Sequence, residues 1–163
     1  MVTIYNATPD HYSTICSIAR QTWPATYGKI LSDAQLGYML DLFYTEEAIL
    51  KNVSAGQIFL LASKSEKIIG FASYQLNYHP STTHIHKIYL LPESQKSGAG
   101  RIIIDEIAKR SIAANQTALS LNVNRQNSAR QFYENLDFTI EREIDIELDY
   151  GYLMEDYIMK KVL

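Results

Sequence analysis

Apolar and polar residues follow two different periods along this chain, and the switches between them mark its elements. Val2 to Tyr5 reads as a short strand. Pro9 and Asp10 then open a helix on which Ile15, Ile18 and Ala19 recur with the spacing of one buried face. Trp23-Pro24 predicts its end, because proline disfavours helical backbone in the residue before it. Ser32-Asp33-Ala34-Gln35 is a capping signal for a second helix through about Leu42, and Thr45-Glu46-Glu47 opens a short third. Gln57 to Ser63 and Lys67 to Leu76 read as a hairpin turning near Lys64-Ser65-Glu66.

The second half repeats a strand–helix order. Thr83 to Leu91 predicts a strand that stops at Pro92. A helix follows to about Ala114, with Ile103, Ile104, Ile107, Ala108 and Ile112 available for burial. Ala118 to Val123 is a strand and Ser128 to Asn135 a helix. In the tail, Glu141, Glu143, Asp145, Glu147 and Asp149 face one way, and Ile144, Ile146 and Leu148 the other. A last strand, Asp156 to Val162, pairs antiparallel with it across Tyr150-Gly151-Tyr152. This order predicts an α/β fold with a mixed sheet.

Composition narrows the class. A chain of 163 residues, 47% of them hydrophobic, suits a single domain over 1–163 with a sizeable core. No apolar run approaches the ~20 residues of a membrane span, and Met1-Val2-Thr3-Ile4-Tyr5 has no signal-peptide form. Cys16 is the one cysteine, so no intrachain disulfide is possible and a cytoplasmic location is expected. The net charge of -3 and the lack of a basic patch argue against nucleic acid. Seven of the eighteen acidic residues lie between Glu141 and Asp156; that bias reads as a solvated strand face or as a match to a cationic partner.

The candidate chemistry starts at Gln95-Lys96-Ser97-Gly98-Ala99-Gly100-Arg101, between a strand and a helix. A small-residue turn there lets N–H groups converge on an anion, and the helix start adds its own. The spacing fits neither the P-loop nor the dinucleotide fingerprint, since Gly98 and Gly100 are followed by Ile103. With Leu91-Pro92-Glu93-Ser94 before it, the stretch resembles the acetyl-CoA pyrophosphate loop of the GCN5-related N-acetyltransferase (GNAT) superfamily. Downstream, Asn124 to Phe138 is similar to that superfamily's Asn-x-x-Ala-x-x-x-Tyr-x-x-x-Gly-Phe motif, with Ala129, Tyr133 and Phe138 in register. Asn127 lies two residues before the Ala rather than three, so its contact is shifted or passes to Asn124. Asp137 stands where the motif has Gly, and aspartate tolerates a left-handed helix end better than most residues.

The resemblance implies a mostly antiparallel sheet flanked by helices. It implies an acetyl-CoA-dependent transferase that needs no metal; His84-x-His86 offers two ligands without a third. Cofactor contacts would come from Gln95, Lys96, Ser97, Gly98, Ala99, Gly100 and Arg101, with Asn124, Asn127 and Tyr133. The pantetheine arm would lie along backbone of Ile88, Tyr89 and Leu90 as an added strand. An alkyl ammonium with a pKa near ~10.4 must lose a proton before it reacts. His84 and His86 share a strand face and are candidate bases. The Tyr133 hydroxyl is the candidate donor to the leaving sulfur.

For the acceptor, Thr22-Trp23-Pro24-Ala25-Thr26-Tyr27-Gly28, Leu121 to Arg125 and Gly151 to Tyr157 resemble the bacterial polyamine (spermidine/spermine) N-acetyltransferase branch. That makes a small amine the expected partner. A peptide acetyltransferase and a non-catalytic acetyl-CoA sensor stay open, and the resemblance makes a homodimer plausible. A cavity closed by the helices of Trp23 to Tyr44 would indicate a small amine; an open groove would indicate a peptide.

Overall fold

The structure, a computed structural model, covers residues 1–163. Its strands are β1 (Val2–Asn6), β2 (Ile58–Lys64), β3 (Lys67–His79), β4 (Thr82–Leu90), β5 (Ala118–Asn124), β6 (Thr139–Glu147) and β7 (Leu153–Val162). Its helices are α1 (Tyr12–Tyr27), α2 (Asp33–Phe43), α3 (Glu46–Ser54), α4 (Ala99–Ala113) and α5 (Ala129–Glu134). The strands form one sheet in the order β1-β2-β3-β4-β5-β7-β6. Only β4 and β5 pair parallel, so the sheet is mixed and mostly antiparallel, as expected. No helix is long and apolar enough to cross a membrane.

A helix must bury its apolar stripe, and each face of the sheet receives one set. On one face Ile103, Ile104 and Ile107 of α4 pack with Leu119, Leu121 and Phe138. On the other, Ile15, Trp23, Leu40 and Ile49 of α1–α3 cover Phe59, Leu61 and Phe71. The predicted caps form: Ser32 Oγ accepts from the Gln35 N–H at 3.1 Å, and Thr45 Oγ1 from the Ala48 N–H at 3.1 Å. Asp137 takes φ = 70°, the left-handed turn expected of it.

Three expectations are corrected. Helix α1 does not stop at Trp23-Pro24 but runs through Pro24 to Tyr27. Proline inside a helix costs about 3 kcal/mol. Continuing the helix holds Trp23 at 4.8 Å from Tyr27, 5.5 Å from Tyr44 and 5.9 Å from Tyr89, ring centre to centre. Burying a ring of that size contributes roughly 4–6 kcal/mol, so packing prevails over the local preference. Ile112 points outward at 58% exposure, because the inward row of α4 runs Ile103, Ile107, Ser111. Asp149 lies in the turn Asp149–Gly151 rather than on the strand.

One irregularity sets up the site. Ser73 pairs with Lys87 but Tyr74 pairs with Ile85, so His86 is an extra residue, a β-bulge in β4. The bulge resets the alternation. Ile85, Ile88 and Leu90 face the α4 core, while Lys87 and Tyr89 face the rings under α1. Beyond Ile85↔Leu121 the parallel pairing of β4 with β5 ends, although both strands continue. Two strand edges therefore diverge around a gap.

Close packing beside this gap is testable at Gly70, which pairs with Leu90. A Cβ there would stand 2.6 Å from the Tyr89 carbonyl oxygen and 2.6 Å from Leu90 Cδ2. The side chain can turn away but the carbonyl cannot. Gly70→Ala is expected to destabilise by about 1–3 kcal/mol in urea unfolding. An unchanged midpoint would show that β4 yields freely.

Candidate active site

The loop between β4 and α4 is shaped by two residues in the left-handed region, Lys96 at φ = 61° and Gly98 at φ = 87°. Lysine pays a steric cost there; glycine does not. The Ser97 hydroxyl bonds the Ser94 carbonyl and the Gln95 side-chain amide donates to the Leu90 carbonyl at 3.3 Å, so the loop is braced from within. The N–H groups of Lys96, Ser97, Gly98, Gly100 and Arg101 have no main-chain acceptor. Such a set, at the positive end of the 15-residue α4, suits a diphosphate. At Gly100 a Cβ would meet the Phe132 ring at 3.1 Å, so the small residue lets that ring pack against the start of α4.

A cavity of about 460 Å³ runs from this loop into the gap between β4 and β5. Gln95, Lys96, Gly98 and Gly100 line its mouth, and Ile88, Tyr89 and Leu90 its length. Asn127 and Tyr133 close the α5 side. Ser97 of the loop and Ala99 at the start of α4 do not line the cavity, and the exposed Arg101 lies 3.9 Å from Asp105 along α4. Asn127 Oδ1 accepts from the Ala129 N–H at 2.9 Å and so fixes the start of α5. Asn124 faces elsewhere, into a second cavity.

That second cavity measures about 190 Å³ and is walled by Trp23, Leu31, Met39 and Phe43 with Leu153 and Met154. It meets the first at Tyr27, His86, Lys87, Tyr89 and Asn122, which line both. Tyr27 and Tyr89 join hydroxyls at 3.1 Å across the junction. Its one carboxylate is Asp156, 5% exposed, whose pKa is raised by burial against the opposing pull of Asn122 and Arg125. The acidic row of β6 does not reach this space. Glu141, Glu143, Asp145 and Glu147 are exposed, and Arg125 pairs with Glu143 and Asp145.

The two histidines separate. His84 lines neither cavity; it is buried with Nδ1 at 2.7 Å from Ser120 Oγ and stacks on Tyr78. His86, at the bulge, borders both cavities and bonds Gln75 Oε1 through Nε2 at 2.9 Å. Burial, then the neighbouring His79, pushes His84 down to about 4. Burial, then His84 and Lys87, pushes His86 down to about 3. Both rings are neutral at pH 7. The Tyr133 hydroxyl, buried and beside Tyr27, is held above the usual tyrosine range and keeps its proton. Burial also raises the thiol of half-buried Cys16, away from nucleophilic duty.

Sequence reasoning did not single out Lys87, and it named Asp156 only as one of the seven acidic residues between Glu141 and Asp156. Each carried a signal: Lys87 is the one cation inside the apolar run Ile85 to Leu91, and Asp156 shares a strand phase with Met154 and Ile158.

Known proteins are similar to this chain. An uncharacterized N-acetyltransferase, YuaI, of Bacillus subtilis is 27% identical over 138 residues, 82% of this chain and 78% of its own. A spermidine N(1)-acetyltransferase of Thermoplasma acidophilum is 27% identical over 134 residues, 78% of this chain and 82% of its own. The crystal structure of PaiA N-acetyltransferase from Thermoplasma acidophilum in complex with coenzyme A superposes with a TM-score of 0.85. At 24% identity, with 100% of this chain and 99% of that one covered, it shares the fold. Residues 34–145 match the acetyltransferase (GNAT) domain, and with the cradle, the bulged strand and the diverging edges in place, this chain belongs to the GNAT family of N-acetyltransferases.

Proposed function

We propose that this enzyme moves the acetyl group of acetyl-CoA to a primary amine of a small, cationic acceptor of the polyamine class. The observation that carries the reading is the meeting of two unlike cavities. One is long, with a cradle of free N–H groups at its mouth; the other is short and aromatic, with a buried carboxylate. The unpaired edge of β4 is suited to a pantetheine amide chain, which adds to it as a strand would. Main-chain donors on that edge are placed to stabilise a tetrahedral oxyanion at the junction.

On this reading the chain's residues divide the work. The loop amides and Gln95 hold the diphosphate. Tyr133 donates to the departing sulfur. Asp156 anchors an ammonium of the acceptor, and the faces of Trp23, Tyr27 and Tyr44 favour a cation beside them. His84 and His86 brace the bulge through Ser120 and Gln75. The acceptor space of about 190 Å³, walled by residues of α1 and α2, suits a small amine. The name of the Thermoplasma spermidine acetyltransferase supports the same substrate class.

An acetylation panel tests this: spermidine, spermine, monoamines and N-terminal peptides. Turnover of the polyamines above the monoamines is expected; activity confined to peptides would overturn the reading. Asp156→Asn is expected to raise KM for spermidine roughly 10–150-fold with kcat little changed, the size of a lost charge-assisted hydrogen bond of about 1.5–3 kcal/mol. A matching loss of acetyl-CoA binding would instead mark Asp156 as structural.

A further inference from the structure

We infer that Lys87 is the proton acceptor of the transfer, its amine at the junction of the two cavities receiving the proton that the acceptor ammonium must lose. This rests on the proposed reading of the site. Three observations carry it. Lys87 is one of five residues that line both cavities, where on that reading the acceptor amine meets the thioester. It has no carboxylate within salt-bridge distance; its compensation is two aromatic faces, Tyr44 and Phe59, each with Nζ 5.9 Å from the ring centre. The bulge at His86 is what turns Lys87 toward this space.

The groups around it leave the amine free to act. From α1 comes Tyr27, from the end of α2 Tyr44, from α5 Tyr133, and from β4 itself His86 and Tyr89. All four tyrosines are held protonated by burial and His86 is neutral. β2 contributes Phe59, β3 the uncharged Ser73 opposite Lys87, and β5 Asn122. Asp156 on β7 is the one formal charge lining the smaller cavity besides Lys87. Burial in this company lowers the Lys87 ammonium to about 8.

Magnitudes separate Lys87 from the strand histidines. Moving a proton from an alkyl ammonium near ~10.4 to a base near about 8 is uphill by a factor of roughly 10²–10³. Moving it to His86, near about 3, is uphill by a factor of roughly 10⁷. At pH 7 about one Lys87 in ten is then the free amine, and a polycation entering the cavity raises that share. The protons and bonds balance. The acceptor ammonium gives one proton to Lys87 Nζ, and the freed lone pair forms the C–N bond to the thioester carbon. Collapse breaks the C–S bond. Tyr133 gives a proton to sulfur, the surplus proton on nitrogen passes to Tyr133 to restore its hydroxyl, and Lys87 returns its own to solvent.

The test follows kcat/KM for spermidine against pH in the wild type, Lys87→Met and Lys87→Arg. The wild type is expected to inflect near about 8. Lys87→Met should lose roughly 10²-fold or more at pH 7, with the deficit closing as pH approaches the amine's own pKa and free base is present without help. Lys87→Arg should behave like Lys87→Met, since a guanidinium accepts no proton. No deficit, a deficit constant with pH, or full rescue by arginine would overturn the assignment. A second readout needs no acceptor: the ¹³Cε signal of Lys87 in lysine-labelled protein, assigned by its absence in Lys87→Arg. Titration near about 8 supports the assignment, and titration at the ordinary ~10.4 overturns it. Failure of every amine in the panel, with that titration intact, would displace the acceptor class and not Lys87.

Discussion

Tyr133→Phe is expected to lower kcat by roughly 10²–10³-fold while acetyl-CoA still binds. The reasoning starts from acidity. A thiolate has a conjugate acid near ~8.5 and an unperturbed tyrosine one near ~10, so complete transfer from tyrosine to sulfur is uphill even before burial raises Tyr133 further. On the proposed reading the hydroxyl therefore acts first as a hydrogen-bond donor to developing charge, and yields its proton only as another replaces it. A preorganised donor of this kind, in a site that excludes water, has the effect quoted above when removed. Phenylalanine keeps the edge-on packing with Phe132 at 5.3 Å and Phe138 at 5.8 Å, so the fold is preserved. Thermal stabilisation by acetyl-CoA at ~100 times its dissociation constant, about 2.7 kcal/mol, should be the same in both proteins. Unchanged turnover with that stabilisation intact would remove Tyr133 from the chemistry.

Trp23→Ala is expected to destabilise by about 3–5 kcal/mol, a large share of the roughly 5–15 kcal/mol that holds a domain folded. Trp23 is 4% exposed and stands where α1, α2 and β4 meet, ringed by Tyr27, Phe43, Tyr44 and Tyr89. Its buried indole N–H makes no well-formed hydrogen bond, so the ring contributes chiefly through area. Removing it leaves a void beside the acceptor cavity and frees the helix that Pro24 already weakens. Urea unfolding followed by circular dichroism measures the effect, since the variant has lost the chain's only tryptophan signal. A loss below about 1 kcal/mol would show that the surrounding rings close over the space.

Local chemistry was legible in the residues before any coordinates. The caps at Ser32 and Thr45, the glycine loop and the turn at Asp137 depend on neighbours within a few positions, and each formed. What depends on distant partners was hidden. Pro24 stays helical because Trp23 meets Tyr89, 66 positions away in number and on another element. The bulge at His86 exists only in register with β3, so no pattern within β4 shows that Lys87 turns inward. The visible acidic row of β6 drew attention, yet the carboxylate inside the cavity is Asp156, on a neighbouring strand. Alternation tells which residues share a face; it does not tell which face meets the site.

The gap between β4 and β5 is a sheet with a rung left out. On the proposed reading the acyl carrier supplies that rung with its own amide arm and anchors it by its diphosphate. Deacylated coenzyme A keeps both. Affinity spent on those parts cannot tell charged carrier from discharged, so it speeds loading and retards release alike. Flux through this enzyme therefore follows the ratio of the two carrier forms around it more closely than the abundance of either.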